Sequence, residues 1–69
     1  MDWIYVNSSN LCCIAYDQPN MTLTIQFRDG STYDYFNVPR FVFDELLNAP
    51  SKGRYLHQHI KERFHCQRR

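Results

Sequence analysis

Glycine is scarce in this chain, with only Gly30 and Gly53 among 69 residues. Two isolated glycines make no glycine-rich loop of the kind that cradles phosphates, so nucleotide-hydrolase and dinucleotide-binding motifs are excluded. Cysteine is limited to Cys12, Cys13 and Cys66. That odd number has no framework spacing, and neighbouring residues on a strand point to opposite faces. Reduced thiols in a reducing compartment follow, and the expected location is the cytoplasm. No apolar run approaches the length of a membrane span. Met1-Asp2-Trp3 is followed too soon by polar residues to open a signal peptide. Repeats, linkers and low-complexity segments are also missing.

Aromatics are what the chain has in quantity, at 16% of its residues. A chain of this size forms one domain and buries only roughly 60% of its unfolded surface. Each aromatic buries about 150–250 Å², which compensates for a thin core. The net charge of +1 hides an uneven distribution. Residues 1–50 hold Arg28 and Arg40 against six acidic residues, a net of −4. Residues 51–69 hold six cations against Glu62, a net of +5. An acidic body with a basic C-terminal segment points to an anionic partner.

Hydrophobic patterning predicts an α+β fold: a small antiparallel sheet of about four strands followed by two C-terminal helices packed on one face. Trp3–Val6 and Leu11–Tyr16 read as strands, separated by the Asn7–Asn10 turn cluster. Met21–Phe27 alternates, with Met21, Leu23, Ile25 and Phe27 on one side. Ser31–Asn37 is the fourth strand. Pro39 starts a helix whose apolar stripe is Val42, Phe43, Leu46 and Leu47. Ser51 caps the next helix, where Leu56, Ile60 and Phe64 form one buried line. Close backbone packing is expected near Gly53. The domain is expected to span residues 1–66, with 67–69 a disordered basic tail.

The loop after Phe27 determines which face Tyr33 and Tyr35 take. A two-residue Asp29-Gly30 loop would pair Ile25 with Asp34 and drive that carboxylate into the core. A three-residue loop, Arg28-Asp29-Gly30, with Gly30 left-handed, would pair Ile25 with Tyr33 and Leu23 with Tyr35. An unpaired buried carboxylate costs several kcal/mol, whereas an exposed Phe36 is ordinary. A slip of one residue inverts every side chain, so the three-residue loop is favoured and the tyrosines face the core. Their hydroxyls then need partners at its edge. Inward tyrosines also disfavour a stacking platform of the kind RNA-binding sheets present.

Val6-Asn7-Ser8-Ser9, Tyr16-Asp17, Leu23, Phe27, Gly30, Tyr33-Asp34-Tyr35, Val38-Pro39, Ala49, Ser51, Gly53-Arg54-Tyr55 and Ile60 together resemble the KTSC domain. That family is named for the C-terminus of lysyl-tRNA synthetases and also occurs as free-standing small bacterial and phage proteins. The resemblance runs from about Ile4 to Phe64 and rests on the ordered set. Tyr33-Asp34-Tyr35 is its most recognisable part. His57 and Leu56 depart from the family pattern, which has Asn and Phe at those positions. The resemblance implies no established activity of its own; the synthetase context is what suggests an RNA-binding role.

The candidate nucleic-acid-binding residues are Lys52, Arg54, His57, Lys61 and Arg63, on a helix where cations reach successive phosphates. On that helix Arg54, Gln58 and Lys61 are expected to project outward with His57 alongside, and Lys52, His59 and Arg63 along the other flank. His57, His59, His65 and Cys66 lack the spacing of a tetrahedral metal set, so no metal is expected. Cys13 and Ser8-Ser9 lack a partner base, and no acid–base or nucleophile–base set can be assembled. The expectation is a non-catalytic binding module without a small-molecule cofactor, its partner RNA. The alternative is a protein-interaction or self-assembling module using Trp3, Leu11 and Phe36 on an outer face.

Overall fold

The turn at Arg28–Gly30 sets the register on which the sheet depends. In the computed structural model, which describes residues 2–69, Gly30 has φ +93°, a conformation that side chains disfavour. The Phe27 amide donates to the Ser31 carbonyl at 2.8 Å, and the Gly30 amide donates to the Phe27 carbonyl at 3.0 Å. The Ser31 amide and hydroxyl both donate to Asp29 Oδ1, and those two bonds hold the Asp29 carboxyl below its usual range. Strand β3 (Thr22–Phe27) therefore meets β4 (Thr32–Tyr35) with Ile25 opposite Tyr33, Leu23 opposite Tyr35 and Thr24 opposite Asp34. This is the register of the three-residue loop.

Among the described residues five strands form the sheet, one more than expected. They are β1 (Ile4–Tyr5), β2 (Leu11–Asp17), β3, β4 and β5 (Cys66–Arg68), in that spatial order and all antiparallel. The chain leaves β4, crosses the sheet through two helices, and returns beside β4. The expected disordered tail at 67–69 is thus corrected. Gln67 and Arg68 pair with Asp34 and Tyr33, and the Arg69 amide donates to the Thr32 carbonyl at 2.9 Å. The physical reason is the open edge of β4, whose backbone groups need partners.

Helix α1 (Arg40–Asn48) buries Val42, Phe43 and Leu46. Pro39 sits at its cap in extended conformation, not in its first turn. Helix α2 (Lys52–Tyr55) is capped as expected, by Ser51 Oγ accepting from the Arg54 amide at 3.3 Å. It runs on into a π-helical turn (Leu56–Ile60), where the Lys61 amide reaches back five residues to the Leu56 carbonyl at 2.9 Å. Leu56 and Ile60 are buried and Phe64 half-buried, the line read from sequence. These residues join Ile14, Leu23, Ile25, Tyr35, Val38 and the α1 stripe in one core on the inner face of the sheet.

Leu11 belongs to that core and is fully buried, which corrects its assignment to the outer face. The pairing shifts between Leu11–Phe27 and Cys13–Gln26, leaving Cys12 as an extra residue in β2. A bulge of this kind inverts the alternation beyond it, so Leu11 turns inward.

The two glycines differ in a testable way. Nothing lies within 4 Å of a Cβ built on Gly30, so Gly30→Ala meets only backbone strain, expected to cost about 1–2 kcal/mol. A Cβ on Gly53 would lie 3.6 Å from Asn10 Nδ2, an ordinary contact and not the close packing expected. Gly53→Ala should therefore stabilise α2, by about 0.5–1 kcal/mol. Urea denaturation of both variants reads the opposite signs.

Candidate nucleic-acid interface

The C-terminal cations are held by elements of different character. Lys52, half-buried, opens α2 and its Nζ donates to the Ala49 carbonyl at 3.2 Å. Arg54, two residues on, is exposed, and with Lys52 it borders a polar hollow against the Ser8–Asn10 turn. Ser8 is itself part of that turn, accepting from the Asn10 and Leu11 amides, the ordinary work of a turn serine. His57 is exposed on the π-helical turn.

Beyond this turn the candidates part. Lys61 faces the β3–β4 hairpin, where it shares a depression with Tyr33, Tyr35 and Cys66. Arg63 lies on the side of Tyr55. The Tyr55 hydroxyl donates to Glu45 Oε1 at 2.6 Å. Burial first, and then the Glu45 carboxylate, push its pKa up to about 12. The single outward row of Arg54, Gln58 and Lys61 is therefore divided. Arg54 and Gln58 border one groove with Tyr55 and His59, and Lys61 turns away from it. A wider helical turn rotates every side chain after it, which a regular helical period does not anticipate.

Two ion pairs occur among the described residues, Arg40 with Asp44 and Arg69 with Asp34. None of Lys52, Arg54, Lys61 and Arg63 takes part in either. Arg68 is also unpaired, its guanidinium 5.8 Å from the centre of the Tyr33 ring. Sequence reading missed Arg68 because it lies in the segment expected to fray. The doublet Arg68-Arg69 was visible, but nothing apolar there marks a strand.

Cys13 is buried with Sγ 3.1 Å from Gln26 Oε1, and burial pushes its thiol up, away from the reactive thiolate. His57, His59, His65 and Cys66 form no metal-ligating group of three among the described residues. No helix among them is long and apolar enough to cross a membrane.

Comparison with known proteins places this geometry. Residues 7–64 match the KTSC domain model. The chain is 53% identical over 49 residues to a lysine–tRNA ligase of Trichormus variabilis, covering 71% of this chain and 9% of the ligase. It is 42% identical over 59 residues to a protein of Tsukamurella paurometabola, covering 86% of this chain and 88% of that protein. The chain thus spans 9% of the length of the ligase it matches. A crystal structure of a KTSC domain protein from Yersinia pestis superposes with a TM-score of 0.94 at 39% identity, over 99% of this chain and 96% of that one. With a family model matched across most of its length and a relative of its own size sharing its fold, the chain belongs to the KTSC domain family.

Proposed function

We propose that this chain is a non-catalytic binding module that takes RNA on the cations of its C-terminal segment, Lys52, Arg54, His57, Lys61 and Arg63, with Arg68 added from β5. One observation carries this reading. Among the described residues the Lys and Arg side chains that neutralise carboxylates are Arg40 and Arg69, so the charge of Lys52, Arg54, Lys61, Arg63 and Arg68 is left for an external anion. Phosphates meet that need, and each phosphate contact releases counterions. The family's presence in lysine–tRNA ligases makes tRNA the first probe. The free thiols of Cys12, Cys13 and Cys66 favour the cytoplasm as the place of action.

The test is a titration of labelled tRNA at two salt concentrations. With about four phosphate contacts, affinity should fall by roughly two orders of magnitude between about 50 mM and 200 mM salt. Replacing Arg54 and Arg63 together by Ala should flatten that dependence. Absence of binding at the lower salt overturns the proposal.

The protein-interaction reading has less to stand on. Leu11 is lost to the core, and Phe36 follows β4, stacked on His65 at 5.9 Å. Trp3 precedes β1, which is separated from β4 by two strands.

A further inference from the structure

An open depression of about 270 Å³ lies where the β3–β4 hairpin, β5 and the end of the π-helical turn meet. Phe27 and Tyr33 line it, their rings edge to face with centres 5.6 Å apart. Tyr35 lines it from within the core and is 2% exposed. Lys61, Asp29 and Cys66 border it, all three exposed. The Arg68 guanidinium stands over the Tyr33 ring.

The tyrosine hydroxyls divide into two kinds. Tyr16 donates to the Val38 carbonyl and Tyr55 to Glu45, both at 2.6 Å. Tyr33 and Tyr35 have no hydrogen-bond partner among the described residues, and the Tyr35 hydroxyl is not sealed from solvent. A phenol buried to this degree ordinarily finds a partner inside the protein. Burial also pushes the Tyr35 hydroxyl up to about 12, so it remains a donor at neutral pH. Two O–H donors beside an unpaired ammonium form a receptor for an acidic group with several oxygens.

We infer that this depression binds a nucleoside monophosphate group, its phosphate on Lys61 and the hydroxyls of Tyr33 and Tyr35, and its base against the Phe27 ring. Arg68 adds positive charge on the same side. Asp29, kept ionised by Ser31, accepts from a base amine or a ribose hydroxyl and repels a second phosphate. The volume falls just below the roughly 300–1,000 Å³ of drug-sized pockets, which suits one nucleotide and excludes a dinucleotide. This site overlaps the RNA surface proposed above only in part. Lys61 and Arg68 serve both, and Lys52, Arg54 and Arg63 do not line it.

The experiment is an amide NMR titration of the whole chain with adenosine monophosphate, adenosine and inorganic phosphate in parallel. Adenosine monophosphate should saturate shifts at Tyr33, Tyr35, Lys61 and Cys66. Adenosine and phosphate should each bind at least about tenfold more weakly, because each lacks half of the contacts. Tyr35→Phe should lose about tenfold in affinity for adenosine monophosphate with no fall in melting temperature, since that hydroxyl bonds nothing in the protein. Lys61→Gln, at an exposed position, should lose at least as much. A short RNA with a terminal phosphate that displaces adenosine monophosphate would identify a strand end as the source, and failure to displace it would identify a free nucleotide. The inference is overturned if no shift saturates, if phosphate alone binds as tightly, or if Tyr35→Phe binds like the native chain. The tRNA titration is unaffected by any of those three results, because Arg54 and Arg63 carry it.

Discussion

Leu11→Ala is expected to destabilise the domain by roughly 2–5 kcal/mol, the cost of removing a large aliphatic side chain from a packed core. The side chain is fully buried opposite Phe27. Its inward direction depends on the extra residue at Cys12, which breaks the two-residue alternation of β2. Had the alternation continued unbroken from Ile14, Leu11 would face outward and the same substitution would change stability by no more than about 0.5 kcal/mol. Small domains have stabilities near the lower end of about 5–15 kcal/mol. The variant should therefore lose a large part of its folded population on mild heating. A urea midpoint close to that of the native chain would show that Leu11 does not contribute to the core.

Asp34→Ala should cost about 1–3 kcal/mol, and most of it comes from Thr24. The Thr24 side chain is fully buried and its hydroxyl donates to Asp34 Oδ1 at 2.6 Å. Removing the acceptor strands that hydroxyl on a sheet face, with the full penalty of an unmade bond. The second oxygen of Asp34 accepts from Arg69 Nε at 3.0 Å, but the Arg69 side chain is half-exposed. That ion pair contributes about 1 kcal/mol or less. Asp34→Asn keeps an acceptor for Thr24 and should recover much of the loss. Denaturation of both variants at neutral pH separates the two contributions, and equal losses would contradict the assignment to Thr24.

The same carboxylate sets an acid dependence with a definite sign. Partial burial works against its charge, but hydrogen bonds from Arg69 and Thr24 outweigh that and hold it below the usual carboxylate range. The unfolded chain then binds the proton more readily than the folded one. The stabilisation is fully present above the ordinary value of 3.8 and is lost as pH falls below it through the lower folded value. Asp34→Asn should lack this part of the acid-induced loss, and a stability profile taken between neutral and strongly acidic pH checks it.

Much of the fold was legible because single residues made the alternatives costly. Asp34 beside two tyrosines allowed one hairpin register, since the other would bury an unpaired carboxylate. Leu56, Ile60 and Phe64, with Ser51 ahead of them, outlined the second helix and its cap. Three features were not legible, each for its own reason. At the bulge, Cys12 and Cys13 are alike in size and polarity, so either can face the core and the pattern does not show which is extra. Strand β5 is exposed throughout, and its pairing is driven by the open edge of β4 rather than by any periodicity of its own. The depression beneath Lys61 gathers residues from the hairpin, the helical turn and the last strand, and no local spacing relates them.

The order of apolar and polar residues was enough to specify an antiparallel hairpin with its tyrosines turned inward and a C-terminal segment rich in positive charge, because burial penalties act on each residue where it stands. Which cations stay free of carboxylates, and which tyrosine hydroxyls open to a ligand, emerged only when distant segments were packed together. Hydrogen bonds and ion pairs form between groups that meet in space, and separation along the chain does not foretell those meetings.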